Sequence, residues 1–147
     1  FNHPVKELIW SSSLNSSSSP LNWCSLRIPA ADGTTYQVKL NGHERFAVRD
    51  NKYFSRTQVW EHHSGSGGLS SAAASTAANS GHNDSINVYS FALKPEEHQP
   101  SGTCNFSRID NAQLVVSAAV SANTDIYAVN YNVLRIMSGM GGLAYSN

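Results

Sequence analysis

Ile86-Asn-Val-Tyr-Ser-Phe-Ala-Leu93 is the stretch of sequence that decides the fold. Its residues alternate between two faces, and the face that carries Tyr89 and Phe91 is aromatic. Alternation with a period of two is the pattern of a β-strand that is covered on at least one side. The stretch therefore predicts a strand over Ile86–Leu93. Lys94–Gly102, which is rich in proline and charge, predicts an irregular loop after it.

Runs of β-branched and aromatic residues, separated by Gly, Pro, Asn and Ser, predict five further strands: Val5–Trp10, Thr34–Leu40, Glu44–Arg49, Leu114–Val120 and Asp125–Met137. Thr34–Arg49 is predicted to be a β-hairpin with one apolar and one wet face, because Asn41-Gly42 lies at its centre and both residues tolerate a positive φ. Gly139–Gly142 is predicted to end the last strand as a flexible exit. Helix-period patterns are scarce, so the predicted fold class is all-β, an antiparallel β-sandwich.

Two tracts of low complexity are predicted to be loops. The first covers residues 11–20 and is rich in Ser, and the second covers residues 64–85 and consists of Ser, Gly, Ala, Asn and Thr with little else. Such residues bury too little apolar area to offset the entropy of ordering them. An Ala-rich helix over Leu69–Ala78 is an alternative for part of the second tract, although it would be marginal at that length.

Composition limits the functions that the chain can have. Ten Lys and Arg balance ten Asp and Glu in 147 residues, so the chain lacks the positive field that direct nucleic-acid binding requires. No run approaches the 18 or so apolar residues of a membrane span, so membrane insertion is not expected. Cys24 and Cys104 lack the clustered spacing of a disulfide framework or a zinc site, and we expect both to be reduced.

Candidate chemical sites are weak in this sequence. Six His residues include the pair in Glu61-His62-His63, but consecutive side chains diverge on a strand or a helix, so we expect no metal and no cofactor. No nucleophile motif or catalytic triad can be assigned, and an enzymatic activity is not expected. Asn15, Asn83 and Asn105 lie in Asn-x-Ser sequons, of which the first two fall in predicted exposed loops and are possible glycosylation sites.

Four stretches carry a resemblance to a known family: Phe1–Trp10, Leu40–Phe46, Ile86–Asp110 and Tyr127–Tyr145. Together they resemble the second, C-terminal jelly roll of the double jelly-roll major capsid proteins of nucleocytoplasmic large DNA viruses. The block Ile86–Asp110 is long, irregular and the most specific of the four. The two low-complexity tracts do not resemble family motifs.

The resemblance implies that residues 1–147 are a piece of a longer chain. They would form a partial jelly roll whose first strands are missing. A jelly roll has eight strands, whereas six are predicted here. An isolated chain would then leave apolar faces and sheet edges unpaired, and we expect it not to unfold cooperatively as a monomer.

The resemblance also implies a structural function. The expected role is that of a major capsid protein in an icosahedral shell, forming homotrimeric, pseudo-hexagonal capsomers that contact neighbouring capsomers and minor capsid proteins. It implies a location in the virion, with assembly in the infected cell, in its cytoplasm, and leaves room for an internal viral membrane beneath the shell.

A structural loop motif is expected within Ile86–Asp110, where charged residues stand beside proline and glycine turns. Its members are Pro95, Glu96, Glu97, His98, Pro100, Gly102, Asn105, Phe106, Arg108 and Asp110. We expect Arg108 and Asp110 to satisfy backbone or partner groups and so to fix the shape of the loop. The alternative is a solvated face whose ion pairs contribute at most about 1 kcal/mol each.

A carbohydrate-binding jelly-roll module is the alternative function, because the same fold hosts lectins. Trp23 and Trp60 are the candidates for an aromatic binding groove, although burial in the core is the stronger expectation for both. A metal-dependent cupin would need two His separated by one residue and a nearby Glu, and the chain lacks that pattern.

Overall fold

The chain is built mostly from antiparallel strands in the computed structural model, which describes residues 1–11, 33–65, 86–117 and 125–145. These residues form ten strands: β1 Pro4–Ser11, β2 Thr35–Leu40, β3 His43–Glu44, β4 Arg49–Asp50, β5 Ile86–Ser90, β6 Cys104–Asn105, β7 Ala112–Val116, β8 Asp125–Asn130, β9 Leu134–Met137 and β10 Met140–Leu143. The helical elements are a π-helical turn Tyr53–Thr57, the helix α1 Gln58–His62 and a 3-10 turn Phe106–Arg108. The all-β class is confirmed.

β1 is the central strand of the first sheet. β8 pairs with one edge of it, and β5 pairs with the other edge over Glu7–Ser11. β6 pairs with Pro4 and Val5 and continues the edge that β5 occupies, because a strand has only two edges. β1 is thus paired on both sides, and its Val5 and Trp10 are the most buried apolar residues of the sheet.

β2 is the central strand of the second sheet. β7 pairs with it over Tyr36–Leu40, while β3 and β4 share the opposite edge. Tyr36 and Val38 are buried as the alternation predicts, but Gln37 on the other face is buried as well. The prediction of a wet face is therefore wrong at Gln37, which uses its side-chain amide to bond the carbonyl of Phe46 at 3.3 Å.

The core joins the two sheets through aromatic rings. Trp10 of the first sheet lies 5.5 Å from Tyr36 of the second, and Phe54 of the π-helical turn packs against both, at 5.2 and 5.9 Å between ring centroids. Phe54 is fully buried. No helical pattern predicted this turn, and yet its side chain fills the centre of the core.

α1 covers the free edge of β5. Gln58 accepts a hydrogen bond at 3.1 Å from the backbone N–H of Ser90, so a side chain replaces the next strand of the ladder. The amide of Gln58 in turn donates to the hydroxyl of Tyr53 at 2.9 Å. One backbone donor on this edge of β5 is thus bonded by a side chain rather than by a neighbouring strand.

The predicted hairpin is confirmed at its turn and differs in its second arm. Asn41 and Gly42 have φ values of 51° and 81°. After β3 the chain leaves the ladder, since Phe46 turns inward to pack 4.7 Å from Tyr89 and 5.5 Å from Phe54. Val48, which was expected to share a face with Phe46, is 56% exposed.

Three other strand predictions are corrected at their ends. β5 stops at Ser90 because the N–H groups of Phe91 and Ala92 both bond the carbonyl of Lys6. β7 occupies Ala112–Val116, so it starts before the predicted strand and does not include Ser117, and residues 118–120 lie outside the described residues. The single long strand Asp125–Met137 is two strands, because Asn132 bonds the N–H of Val133 at 2.7 Å and the carbonyl of Tyr145 at 2.9 Å and so interrupts the ladder.

The last predicted strand ends at Met137 as expected, but the prediction that Gly139–Gly142 is a flexible exit is wrong. Ser138 and Gly139 both have positive φ, 52° and 80°, and form the tight turn of a second hairpin. β10 then pairs antiparallel with β9, from Met140 opposite Met137 to Leu143 opposite Leu134.

Phe54→Ala is expected to lower the free energy of unfolding by about 3–5 kcal/mol, because it removes a buried ring and leaves a cavity between the sheets. Trp60→Ala is the matched control, because Trp60 lies in the neighbouring helix α1 and is 81% exposed. This variant should change the free energy of unfolding by no more than about 0.5 kcal/mol. Denaturant unfolding of both variants of the full-length protein checks this. Equal losses of unfolding free energy in the two variants would contradict the placement of Phe54 in the core.

Candidate functional site

The loop after β5 is anchored to β1 at its start. The carbonyl of Lys6 accepts hydrogen bonds from the N–H groups of Phe91, at 2.8 Å, and Ala92, at 3.2 Å. The ammonium of Lys6 reaches over the loop and donates to the carbonyl of Pro95 at 2.8 Å. Pro95 is fully buried. One residue of β1 therefore holds both the entry and the first turn of the loop.

Contacts within the loop close it on itself. The hydroxyl of Ser101 accepts from the N–H of Lys94 at 2.9 Å and donates to the carbonyl of the same residue at 3.2 Å. Gly102 has a φ of 149°, and a Cβ there would lie 2.8 Å from the carbonyl oxygen of Phe91. Only glycine suits this position, since any side chain would collide with backbone.

The end of the loop is held by two asparagine side chains. Asn105 accepts at 3.0 Å from the N–H of Ser107 and starts the 3-10 turn. Asn41, in the hairpin turn of the second sheet, accepts from the N–H groups of Asp110 at 3.0 Å and Asn111 at 3.1 Å. The segment from Phe91 to Asn111 thus connects the two sheets and is held by both.

The predicted loop motif divides into buried anchors and an exposed rim. Pro95 and Phe106 are buried, and Gly102 and Asn105 fix backbone geometry as described above. The remaining members are exposed: Glu96, Glu97, His98, Pro100, Arg108 and Asp110. The groups that bond Asn41 are the carbonyl of Arg108 and the N–H of Asp110, so the roles expected for their side chains stay predictions.

Asn41 and Lys6 are the residues that sequence reasoning missed. Asn41 was expected only to permit the turn, and nothing in its local sequence indicates a bond to residues about seventy positions away. Lys6 acts chiefly through its backbone carbonyl, for which a sequence pattern holds no signal.

His62 is the last residue of α1 and His63 follows it, and both rings contact the loop after β5. His62 Nδ1 lies 3.0 Å from the carbonyl of Leu93. His63 Nε2 lies 2.9 Å from a carboxylate oxygen of Glu7, and its Nδ1 lies 3.2 Å from one of Glu96. Among the residues that the structure describes, no three His, Cys, Asp or Glu side chains converge in a way that could hold a metal ion.

Burial and hydrogen bonding shift four titratable groups. Desolvation raises the pKa of Tyr36, Tyr89 and Cys104, so the Cys104 thiol stays protonated and unreactive at neutral pH. Hydrogen bonds from Ser64 lower the pKa of the Glu96 carboxyl, and His63 adds a smaller effect. Cys24, His82, Trp23 and the sequons at Asn15 and Asn83 lie outside the described residues.

An exposed apolar surface lies on the β9–β10 hairpin. Residues directly opposite each other share a face, so Leu134, Leu143 and Ile136 lie together, and they are 64%, 63% and 68% exposed. The hairpin packs against no other element of the described chain to a comparable extent. We call Leu134, Ile136, Leu143 and Tyr145 the hairpin face.

A cavity of about 310 Å³ opens at the base of this hairpin. It is lined by eight residues: His3, Pro4, Asn105, Ser107, Tyr131, Asn132, Val133 and Tyr145. Tyr145 also belongs to the hairpin face, so the cavity lies beside that face.

The structure bears on two further expectations from the sequence. Trp60 is 81% exposed, so the expectation that it is buried in the core is wrong, and it does not line the cavity. No helix in the described ranges is both long enough and apolar enough to cross a membrane.

Comparison with known proteins identifies close relatives. A family model described as large eukaryotic DNA virus major capsid protein matches residues 1–142. The chain is 57% identical to the major capsid protein of Phaeocystis pouchetii virus, over 76% of this chain and 20% of that protein. It is 48% identical to the major capsid protein of Pyramimonas orientalis virus, over all of this chain and 38% of that protein.

A solved structure has the same fold. A chain of the quasi-atomic model of the PBCV-1 virus capsid superposes with a TM-score of 0.67 at 32% identity, over all of this chain and 44% of that one. The antiparallel sheets described above are therefore those of a viral jelly roll, as the sequence predicted. The chain spans less than half the length of each of these relatives.

Asn41→Ala is expected to lower the free energy of unfolding by about 2 kcal/mol, since it removes the acceptor of two backbone N–H groups and places alanine at a positive φ. Asn41→Asp is the matched control, because it keeps the acceptor oxygen and tolerates the left-handed conformation. Denaturant unfolding of both variants measures the difference. If the two variants lose the same free energy, the bond between the hairpin turn and the loop is not what stabilises the segment.

Proposed function

Because the chain belongs to the large eukaryotic DNA virus major capsid protein family, we propose that it is a structural component of an icosahedral virus shell. The observation that carries the proposal is the family match over residues 1–142. The likeness to a chain of the PBCV-1 capsid supports the same conclusion. The role is structural rather than enzymatic, and its place is the virion.

The working unit in this proposal is a homotrimeric, pseudo-hexagonal capsomer. Its partners are copies of itself, neighbouring capsomers and minor capsid proteins, with assembly in the cytoplasm of the infected cell. Two facing sheets held by an aromatic core make a rigid block, and rigid blocks suit a tiling in which the same contacts repeat.

The hairpin face is the surface that we assign to capsid contacts. Its four side chains are apolar or aromatic, and Arg135 is the one charged residue of β9 and β10. The cores of protein interfaces are poor in charge and rich in such side chains. A two-stranded hairpin is also marginal in water by itself, so a surface that covers it would stabilise it.

The double variant Ile136→Lys and Leu143→Lys is expected to abolish capsomer formation, because two charges would be desolvated in the contact. Both side chains are more than 60% exposed, so the melting temperature of the unassembled protein should change little. Light scattering after size exclusion measures the oligomer, and negative-stain microscopy its outline. Val48→Lys, at an exposed apolar residue outside the hairpin, is the control.

If the double variant forms normal capsomers, the hairpin face is not part of the contact between subunits. That result would not contradict the proposed shell function. A wild-type protein that stays monomeric and binds glycans on an array would instead favour the carbohydrate-binding alternative.

Arg108→Ala tests the exposed rim of the loop. If the guanidinium contacts a partner subunit, the yield of capsomers should fall while the melting temperature is kept, because only the backbone of Arg108 bonds Asn41. An unchanged yield and melting temperature would identify Arg108 as a solvated surface residue. Lys94→Ala, on the same loop and also exposed to solvent, is a suitable control.

A further inference from the structure

Asn41-Gly42 is the one Asn-Gly pair in the chain, and it forms the tight turn between β2 and β3. Both residues are exposed, and their φ values of 51° and 81° lie in the left-handed region. A Cβ built on Gly42 would have no heavy atom within 4 Å beyond its chain neighbours, so the turn is open on that side. Water therefore reaches the backbone that follows the Asn41 carboxamide.

The turn brings together two groups that can react with each other. When the backbone nitrogen of Gly42 attacks Cγ of Asn41, an N–Cγ bond forms and the Cγ–Nδ2 bond breaks. The Nδ2 group leaves as ammonia with the proton of the Gly42 N–H, and a succinimide ring remains. Water then opens the ring. Cleavage at Cγ gives aspartate, and cleavage at the backbone carbonyl gives isoaspartate. Glycine favours the attack because it has no side chain to shield the nitrogen.

The bonds of the Asn41 side chain restrain its carboxamide. Oδ1 accepts from the N–H groups of Asp110 at 3.0 Å and Asn111 at 3.1 Å, and Nδ2 lies 3.5 Å from the carbonyl of Arg108. The backbone N–H of Asn41 is held as well, since it donates to the carbonyl of Asn111 at 2.7 Å. These bonds oppose the rotations that would place Cγ on the nitrogen of Gly42.

The same two N–H groups also have an opposite effect, because donors on Oδ1 stabilise the oxyanion that the attack would form. That help requires the donors to stay within hydrogen-bond distance of the oxygen while the ring closes. Asp110 and Asn111 lead directly into β7, whose Ala112 pairs with Leu40, so the sheet holds them in place. Ring closure moves Oδ1 away together with Cγ while the donors stay behind, so the restraint outweighs the activation.

We propose that Asn41-Gly42 is a deamidation site that the loop after β5 guards. The carboxamide is protected while Oδ1 bonds Asp110 and Asn111, and it reacts once these bonds open. Isoaspartate adds one atom to the main chain of a two-residue turn, so Leu40 and His43 lose their register and the loop loses its acceptor. A chain that fails to close the loop is thus marked irreversibly. The proposal is independent of the shell function.

The folded protein should deamidate at Asn41 more slowly than the same sequence without its fold. Trypsin cleaves after Lys39 and Arg45 and releases Leu40–Arg45, in which Asn41 is the one asparagine. The full-length protein and the synthetic peptide Leu40–Arg45 are incubated at the same mildly alkaline pH, and mass spectrometry follows the deamidated fraction, with digests of unincubated protein as the background. The rate in the protein should be lower by roughly tenfold or more, because an opening that breaks two bonds must come first.

Asp110→Pro removes one donor and leaves the Asn-Gly pair unchanged. Ile109 already has an extended backbone, with φ −112° and ψ 110°, close to the conformation that a residue before proline prefers. Deamidation should become about fivefold faster than in the wild type, the size expected for one lost bond. Asp110→Ala is the matched control, because it loses the carboxylate but keeps the N–H, and it should keep the wild-type rate.

Two results would overturn the guard. The first is a folded protein that deamidates as fast as the peptide or faster, and this comparison decides the question even if Asp110→Pro does not fold. The second is an equal rate in Asp110→Pro and Asp110→Ala, since the N–H of residue 110 would then have no part in the protection.

Discussion

The pairing of β1 on both edges is the constraint on which the rest of the structure depends. β1 gives Val5 and Trp10 to the core, and the carbonyl of Lys6 ends β5 and starts the loop. Glu7 meets His63 from the end of α1. Because a central strand is buried on both faces and bonded on both edges, its side chains and carbonyls are fixed points against which irregular segments can be placed.

The loop between β5 and β7 shows how an irregular segment becomes a rigid one. It has little regular secondary structure, and its shape comes from separate bonds to Lys6, Ser101, Asn105 and Asn41. Each bond alone contributes about 1 kcal/mol. Their effect is larger than the sum suggests because they act at both ends of the segment and hold it to both sheets at once, which limits alternative conformations.

Much of the fold could be predicted from period-two alternation, and the errors have common physical causes. The alternation located β1, β2 and β5, and Asn41-Gly42 located the first turn. The alternation pattern failed where a side chain bonds a backbone group in place of a neighbouring strand. Asn132 bonds the N–H of Val133 and splits the last predicted strand, and Gln37 bonds the carbonyl of Phe46, which has left the ladder. The Ser138-Gly139 turn was missed because the glycines after it, Gly141 and Gly142, read as a flexible exit.

The position of the candidate site could be predicted from the sequence, but the contacts that hold it could not. The proline, glycine and charge content of Ile86–Asp110 marked an irregular segment, and Pro95, Gly102 and Phe106 within it do fix its shape. The partners of that segment, Lys6, Asn41 and His63, lie far away in sequence. Contacts of that kind arise only once the sheets are assembled, and local pattern contains no information on them.

The contrast between the anchored loop and the hairpin face separates folding from assembly. The bonds described for the loop end on residues of the same chain, in the two sheets and at the end of α1. The β9–β10 hairpin has its backbone bonds internally, but Leu134, Ile136 and Leu143 remain in water. Burying three such side chains is worth about 1.5–3 kcal/mol each. In the proposed capsomer that free energy is gained when subunits make contact rather than when the chain folds. The same exposed surface leaves the isolated hairpin only marginally stable and drives the association of subunits.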